Sequence, residues 1–343
     1  MHSVVGGSPR GSMLALGTGS RGCSPPGACE AAVTDALRMG WRNIDCAWEY
    51  GTQRLVASGL KASGVPRSEV YVATKLPGPV GAAAARRYMD ANLAQLQMAQ
   101  VDLLLMHYPC GASWPQPRDG CSADEDTGAR LETWRAMQAM VAAGQVRQIG
   151  VSNFRLEHLR QLVAASADGS GAAAAMVRVN QVQWHLGHHD DELLAFCRAH
   201  NITLQAYSPL GGGGTSTGRG GGISLDDPAV AAIAARHNAT TAQVALRWSV
   251  QQGVAVVTST VRAGYLREDL AVLTKPRLTS SELATLSARP CWKPRGPFGH
   301  TTNRGSERLV GRGWPKPGAA LGLNLPPRVP PGCESDRSER RLV

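Results

Sequence analysis

The chain has 343 residues, of which 43% are hydrophobic and 18% are charged, and its formal net charge is +10. A chain of this length can bury a large core, and an α/β barrel of this size can be one domain. No apolar run reaches the roughly 18 residues of a membrane span, and the N-terminus MHSVVGGSPRGSM lacks the apolar core of a signal peptide, so we expect no membrane contact and a cytoplasmic location.

Short β-branched or apolar runs alternate with longer segments rich in Ala, Leu and Arg up to about residue 289. Eight runs predict strands, in chain order MLALG (13–17), WRNID (41–45), VYVATK (70–75), VDLLLMH (101–107), RQIGVS (147–152), VRVNQVQ (177–183), ITLQAYS (202–208) and VAVVTS (254–259). Helical stretches between them include 28–40, 82–96 and 132–144. Alternating strands and helices predict an α/β fold with a parallel sheet, and eight units in this length match a (β/α)8 TIM barrel.

A glycine motif early in the chain offers a different interpretation. Residues 17–22, GTGSRG, satisfy G-x-G-x-x-G, and Asp45 lies 23 residues beyond Gly22, as in a Rossmann fingerprint. That fingerprint requires a helix that begins at its glycines, because the helix N-terminus holds the pyrophosphate. Here CSPPG (23–27) follows, and two prolines with a glycine predict a turn, so we reject a Rossmann unit.

Two loops depart from the strand and helix rhythm. ASADGSGAAAA (165–175) extends one loop, and GGGGTSTGRGGG (211–222) follows the seventh predicted strand. The glycine loop either closes over a ligand or is only a flexible connection.

The C-terminal segment has a different composition from the rest. From residue 291 onward, ten Lys or Arg and four Asp or Glu give a charge of +6, which leaves +4 for the preceding residues. Nine of the 21 prolines also lie between Pro290 and the end. We therefore predict a barrel domain over 1–289 and a basic tail of low order over 290–343.

Cysteine and histidine spacing gives no sign of a metal site. The eight cysteines form no C-x-x-C pair and have no zinc-finger spacing to a His, so we expect reduced thiols. His185, His188 and His189 are close together in HLGHHDDE, but this stretch opens a predicted helix, and we expect a solvated turn there.

Polar residues end seven of the eight predicted strands. In a TIM barrel these ends meet at one face, which carries the active site. A single polar strand end is usually structural or solvated, whereas several on one face suggest a site. The residues are Asp45, Lys75, His107, Ser152 with Asn153, Asn180 with Gln181, Tyr207 with Ser208, and Thr258 to Thr260.

Strands two to four, with the loop that carries Tyr50, predict a proton-transfer unit. A tyrosine has an ordinary pKa of about 10 and benefits from help as a general acid at neutral pH. We expect the Lys75 cation to lower the pKa of Tyr50 and Asp45 to hold that cation in place. His107 would orient a carbonyl oxygen and share its proton. The competing interpretation is that Asp45 caps a helix and Tyr50 merely packs.

The chain resembles the aldo-keto reductase superfamily from about Leu14 to about Ala288. The resemblance rests on GTG (17–19), NIDCAWEYG (43–51), VATKL (72–76), VDLLLMHYP (101–109), GQVRQIGVSNF (144–154), VNQVQWH (179–185), LQAYSPLG (204–211) and TTAQVALRW (240–248). It implies a (β/α)8 barrel and hydride transfer between a nicotinamide cofactor and an aldehyde or ketone. The position matching the family's proton donor is Tyr50, and its matching supports are Asp45, Lys75 and His107.

The resemblance also implies contacts with the cofactor. Ser152, Asn153 and Gln181 match residues that hold the carboxamide, and Tyr207 matches the ring that stacks on the nicotinamide. Four further positions match the pyrophosphate side and the first-strand turn: Ser208 and Leu210, and Thr18 and Gly19.

The phosphate-binding end departs from the family pattern. In VVTSTVRAGYLREDL (256–270), Ser259 and Tyr265 replace the Lys and Arg with which many members clasp the 2′-phosphate of NADP. Arg262 still has a group that binds phosphate well. The remaining candidates are Thr260 for phosphate and Glu268 and Asp269 for adenine, with Asp269 standing where the family usually has Asn. The expected cofactor is NADPH, with NADH as the alternative.

Substrate selection is less defined than the chemistry. Trp48, Trp114 and Trp184 are candidate pocket walls beside His107, although ordinary packing is the alternative for the first two. Glu49 adjoins Tyr50 where an apolar residue is common in the family, and it either points away or alters the pocket.

The partner expected for the chain is a small-molecule carbonyl compound. We expect a monomer that binds neither nucleic acid nor membrane. Two other functions remain open at this point: a regulatory or cofactor-sensing barrel with little turnover, and nucleic-acid binding by the basic tail.

Overall fold

The computed structural model describes residues 13–19, 23, 26–111, 121–166, 176–211, 225 and 227–288. The tail 290–343 and its boundary, Trp114, and most of segments 165–175 and 211–222 lie outside these ranges. The strands are β1 (Leu14–Gly17), β2 (Asn43–Asp45), β3 (Tyr71–Leu76), β4 (Val101–Met106), β5 (Val146–Ser152), β6 (Val177–Gln183), β7 (Thr203–Tyr207) and β8 (Ala255–Thr258). The α-helices are α1 (Pro26–Met39), α2 (Gln53–Ser63), α3 (Ala82–Leu96), α4 (Thr127–Ala142), α5 (Leu156–Ser166), α6 (Asp191–Ala199), α7 (Pro228–Arg236), α8 (Thr241–Gln251), α9 (Ala263–Ala271) and α10 (Ser280–Ser287).

The eight strands close into a parallel barrel, which confirms the predicted (β/α)8 TIM fold. Each strand pairs with the next one in sequence, and β8 pairs with β1 through Ala15 and Val257. The predicted strands agree with the observed ones to within two residues at each end, because β-branched runs flanked by polar residues mark strands clearly.

Alternation along β4 separates two apolar layers. Leu103 and Leu105 pack in one small cluster, whereas Leu104 and Met106 belong to the large cluster that the helices cover. Because successive strand residues point to opposite faces, the first pair faces the barrel interior. The barrel is therefore a packed core, and its chemistry is confined to the strand ends.

One close approach in the barrel depends on glycine. The register between β5 and β6 shifts between Ile149 and Val151. A Cβ atom added to Gly150 would lie 2.5 Å from the Val179 carbonyl oxygen and 2.9 Å from Leu105 Cδ2. Glycine therefore lets the two strands approach each other at this shift.

The start of α1 differs from the sequence prediction. Pro26 and Gly27 lie in the first turn of the helix rather than in a separate turn. Proline suits this position, because the first helical N–H groups have no partner within the helix. The rejection of a Rossmann unit is nevertheless confirmed, because β1 belongs to a closed barrel.

The expectation of reduced thiols is wrong for four cysteines. Cys23 is bonded to Cys29, and Cys110 is bonded to Cys121. Sequence spacing does not reveal such pairs, because the geometry of the two Cβ atoms decides whether a bond forms. Within the described ranges, Cys46 and Cys197 are buried free thiols. Across the same ranges, no helix combines the length and apolarity needed to cross a bilayer.

Candidate active site

A buried ion pair joins the ends of β2 and β3. Lys75 Nζ donates to Asp45 Oδ1 at 2.6 Å, and both side chains are almost fully buried. The second carboxylate oxygen accepts a hydrogen bond from Gln181 Nε2 at 2.8 Å. Lys75 Nζ also donates to the Cys46 carbonyl oxygen at 3.1 Å. Both charges therefore have close partners, as buried charges require.

Tyr50 lies directly against this ion pair. It ends a short 3-10 helix, Trp48–Tyr50, which Gly51 terminates with a left-handed φ of 67°. Lys75 Nζ lies 3.3 Å from Tyr50 Oη. A Cβ atom added to Gly19 would lie 3.7 Å from the Tyr50 ring, so the first-strand turn also lines this site.

The pKa of Tyr50 differs from the sequence expectation. It is raised well above its ordinary value, first by burial and then by electrostatic interactions with Asp45, Cys46 and Glu49. Lys75 was expected to lower this pKa, but its charge is already paired with the Asp45 carboxylate. The phenol therefore remains protonated at neutral pH, as a proton donor must be.

His107 follows the last residue of β4, and its ring faces Tyr50. The two ring centroids are 5.6 Å apart in an edge-on arrangement. His107 Nδ1 lies 2.8 Å from Glu49 Oε2, which answers the question about Glu49: its side chain turns towards the histidine. Burial lowers the pKa of His107, and its close contact with the Glu49 side chain opposes this shift.

The four residues assigned to the nicotinamide end form one hydrogen-bonded group. Asn153 Nδ2 donates to the His107 carbonyl oxygen at 2.9 Å, and Tyr207 Oη donates to Asn153 Oδ1 at 2.8 Å. Ser152 Oγ donates to the Gln181 carbonyl oxygen at 2.8 Å. Strands β5, β6 and β7 thus bring these side chains together beside His107 and the Asp45–Lys75 ion pair.

The turn after β1 is hydrogen-bonded to the end of β2. Thr18 is fully buried, and its hydroxyl donates to the Asp45 carbonyl oxygen at 3.0 Å. The Thr18 and Thr52 hydroxyl groups are 3.1 Å apart. Ser208, after β7, has a positive φ of 50°. These backbone positions lie at the barrel face that carries Tyr50.

The region after β8 leaves one arginine exposed at the start of α9. The guanidinium of Arg262 lies over the Tyr265 ring at 5.4 Å, and the Arg262 amide donates to Thr260 Oγ1 at 3.1 Å. Ser259, in place of the family's lysine, donates to the Gly17 carbonyl oxygen at 2.9 Å. A helix N-terminus with an exposed arginine suits an anion.

The two residues assigned to adenine have different environments. Glu268 accepts a hydrogen bond from Thr240 Oγ1 at 2.5 Å, so its side chain also links α9 to the start of α8. Asp269 is buried, and burial raises the pKa of its carboxyl group to about 6, although a Thr258 contact opposes this shift.

The candidate pocket walls have separate roles in packing. Trp48 packs edge-on against Tyr88 with ring centroids 5.2 Å apart. Trp184 is fully buried and stacks on Trp248 at 5.8 Å, so it belongs to the core and is not a pocket wall. Leu210 also packs against the core. The third tryptophan, Trp114, lies outside the described residues.

A cluster of sulfur and nitrogen atoms lies beyond β4. The side chains of Cys110, Cys121 and His158 have potential metal-ligand atoms within 4.8 Å of one another. The cysteines are disulfide-bonded, however, and His158 Nδ1 accepts the Arg155 amide at 3.3 Å, which places the ring proton on Nε2. The Arg130 guanidinium also lies 3.4 Å from Cys110 Sγ. The cluster as it stands suits a disulfide beside a cation better than it suits a metal ion.

Comparison with known proteins agrees with this geometry. A sequence profile described as Aldo/keto reductase family matches residues 13–289. The chain is 34% identical over 281 residues to "Aldo-keto reductase family 1 member A1" of Bos taurus, covering 76% of this chain and 80% of that protein. It is 33% identical over 258 residues to an "Aldo-keto reductase" of Mycolicibacterium vanbaalenii, covering 75% and 81% respectively. The crystal structure of an aldo/keto reductase from Brucella melitensis has a TM-score of 0.65 and 28% identity, covering 80% of this chain and 93% of that one. The closed barrel brings a buried lysine, an aspartate, a tyrosine and a histidine together at its strand ends. Together with this profile and these relatives, this shows that the chain belongs to the aldo/keto reductase family of oxidoreductases.

Proposed function

We propose that the protein is an NADPH-dependent reductase that converts aldehydes or ketones to alcohols. The family implies an oxidoreductase that acts on carbonyl compounds. The observation that supports carbonyl reduction most directly is the contact of Tyr50 Oη with Lys75 Nζ at 3.3 Å, beside His107. A protonated phenol next to a fixed cation is suited to give its proton to a developing alkoxide.

Each side chain has a separate part in this reaction. Tyr50 donates the proton, and the Lys75 cation stabilises the phenolate that remains. Asp45 holds Lys75 through the 2.6 Å ion pair, so the cation cannot turn away from the phenol. His107 orients the carbonyl oxygen towards Tyr50. The buried setting strengthens these interactions, because little water screens them.

The chemistry of the neighbouring side chains fits a nicotinamide cofactor. Ser152, Asn153 and Gln181 supply hydroxyl and amide groups for a carboxamide, and the half-buried Tyr207 ring supplies an aromatic face. Gly19 and Thr18 line the approach from β1, and Arg262 offers a cation for a 2′-phosphate. When bound, NADPH would supply the hydride that reduces the carbonyl carbon.

The first test is oxidation of NADPH by the purified protein with a panel of aldehydes and ketones. We expect turnover by the wild type and a loss of about 10²- to 10⁴-fold in Tyr50→Phe, which removes the donated proton and little volume. Cofactor affinity, measured by fluorescence titration, should change little. Tyr71→Phe is the matched control, because its hydroxyl binds Gln148 at the opposite end of β3. Equal activity of wild type and Tyr50→Phe would disprove the mechanism.

The cofactor preference is tested by running NADH in parallel. If Arg262 binds the 2′-phosphate, Arg262→Gln should raise KM for NADPH about tenfold or more and leave KM for NADH unchanged. Arg87→Gln, an exposed arginine on α3, is the control. Bound cofactor without turnover on any carbonyl would instead favour the regulatory function.

Location and assembly remain predictions. We predict a monomer in the cytoplasm, which size-exclusion chromatography and localisation of the tagged full chain would test. The two disulfides weigh against the cytoplasm, because such bonds persist mainly in oxidising compartments.

A further inference from the structure

Glu49 is an acidic side chain at the site to which the proposed reaction gives no part. Its Oε2 atom lies 2.8 Å from His107 Nδ1, and both side chains are less than a tenth exposed. In the 3-10 helix Glu49 stands between Trp48 and Tyr50. Trp48 packs edge-on against Tyr88. The carboxyl group of Glu49 is therefore close to the proton donor, to the histidine and to one candidate pocket wall.

The contact with His107 limits how far a substrate can be from Glu49. In the proposed reaction the carbonyl oxygen binds to the His107 ring. The two nitrogens of an imidazole are about 2 Å apart, and a hydrogen bond adds about 3 Å, so the carbonyl oxygen lies at most about 8 Å from Glu49 Oε2. Charges at such distances interact strongly in a buried site, because little water screens them.

The charges at the strand ends beside Glu49 balance each other. Lys75 Nζ and Asp45 Oδ1 form an ion pair at 2.6 Å. Burial lowers the pKa of His107, although the contact with Glu49 opposes this shift, so the ring is mainly neutral at neutral pH. The carboxylate of Glu49 therefore adds a negative charge to a group of side chains that is otherwise close to neutral.

The charge of Glu49 affects the side chains around it. Burial raises the pKa of Tyr88, and Glu49 raises it further, whereas the exposed Arg87 on α3 acts in the opposite direction. Glu49 also contributes to the raised pKa of Tyr50, for which burial is the largest cause. The field of this carboxylate thus extends from the proton donor to the ring that packs on Trp48.

We propose that Glu49 is a specificity-determining residue that selects carbonyl compounds by charge. It disfavours aldehydes and ketones that carry a carboxylate near the carbonyl group, and it favours those that carry a cation there. Like charges brought together in a buried site are costly, and such repulsion is a common means of rejecting a ligand. An apolar side chain at this position would not distinguish the two. This inference rests on the proposed reductase function and deepens it.

Three aldehydes of nearly the same shape provide the test. They are 3-formylbenzoate, 3-formylbenzamide and 3-formylbenzamidine, which carry a negative charge, no charge and a positive charge. We would measure kcat/KM with NADPH in the wild type and in Glu49→Gln, which removes the charge and keeps the shape. Each value is divided by that of the neutral amide in the same protein. General effects of the substitution on His107 and Tyr50 then cancel.

We expect Glu49→Gln to raise the relative kcat/KM of the benzoate about tenfold and to lower that of the benzamidine about tenfold. A unit charge about 10 Å away, at an effective dielectric constant of about 20, changes an equilibrium about fifteenfold. Glu69→Gln is the control, because Glu69 is exposed and precedes β3 at the opposite end of the barrel. Its ratios should match the wild type. A purely structural role of Glu49 would change all three aldehydes equally, and unchanged ratios in Glu49→Gln would overturn the proposal.

A binding measurement separates this inference from the proposed function. If the wild type reduces neither these aldehydes nor any other carbonyl compound, the proposed function fails. Calorimetric titration of the same three aldehydes into the full chain with NADP+, which has no hydride to give, then decides the role of Glu49. The Kd values should show the same preference for the cation, and Glu49→Gln should abolish it. Equal Kd ratios in the two proteins, or no binding of any of the three, would overturn the inference.

Discussion

Asp269 makes the stability of the barrel depend on pH in an unusual direction. Burial raises the pKa of this carboxyl group from 3.8 to about 6 in the folded chain. One pKa unit corresponds to about 1.4 kcal/mol, so ionising Asp269 lowers the free energy of unfolding by about 3 kcal/mol. The sign follows from proton binding: between these two pKa values the folded chain holds the proton and the unfolded chain releases it. The stabilisation is therefore full below pH 3.8 and lost as pH rises through about 6.

Asp269→Asn tests this reasoning, because the amide has the same shape and cannot ionise. We expect the variant to be more stable than the wild type by about 3 kcal/mol at pH 8 and by less than about 1 kcal/mol at pH 4. Urea unfolding at both pH values measures the difference, in which the titration of all other groups cancels. Asp90→Asn, an exposed aspartate on α3, is the control and should show no such trend. An equal difference between wild type and Asp269→Asn at both pH values would refute the argument.

Two further substitutions test the fold around the site. Gly150→Ala places a methyl group 2.5 Å from the Val179 carbonyl oxygen and should destabilise the chain by about 1–3 kcal/mol in urea unfolding. Gly128→Ala, where no atom outside its own stretch of helix lies within 4 Å of the added methyl, should be neutral or slightly stabilising, and similar losses in both would argue against crowding at β5. Lys75→Met leaves the buried Asp45 carboxylate without its cation and should cost about 3–5 kcal/mol. The double variant with Asp45→Asn should recover most of that stability, and no recovery would show that the lost ion pair is not the cause.

The sequence was sufficient for the barrel and for the set of polar strand ends. Runs such as VDLLLM and VRVNQVQ predicted β4 and β6, and the rule that active sites lie at the carboxyl ends of barrel strands brought Asp45, Lys75 and His107 together. This succeeded because strand order and strand direction determine where each end lies.

The sequence did not predict the directions of side chains or the balance of burial and charge that sets a pKa. Trp184 follows a strand like a pocket residue, yet its ring packs on Trp248, which is 64 positions away in the chain. Glu49 had two open interpretations until its contact with His107 was known. The pKa of Tyr50 was expected to fall, because adjacency to Lys75 was visible in the motif and the extent of burial was not.

The pairing of β1 with β8 also bears on how the chain is made. Ser259 Oγ binds the Gly17 carbonyl oxygen across 242 residues, and Asp45 meets Gln181 across 136 residues. Ribosomes add about 5–20 residues per second, so β1 waits on the order of tens of seconds for its second neighbour. During that interval one edge of β1 is open to strand addition from other chains. The nascent protein therefore carries Asp45, Tyr50 and Lys75 early but acquires a protected sheet only when β8 has emerged, and a chaperone that shields the β1 edge should increase its yield.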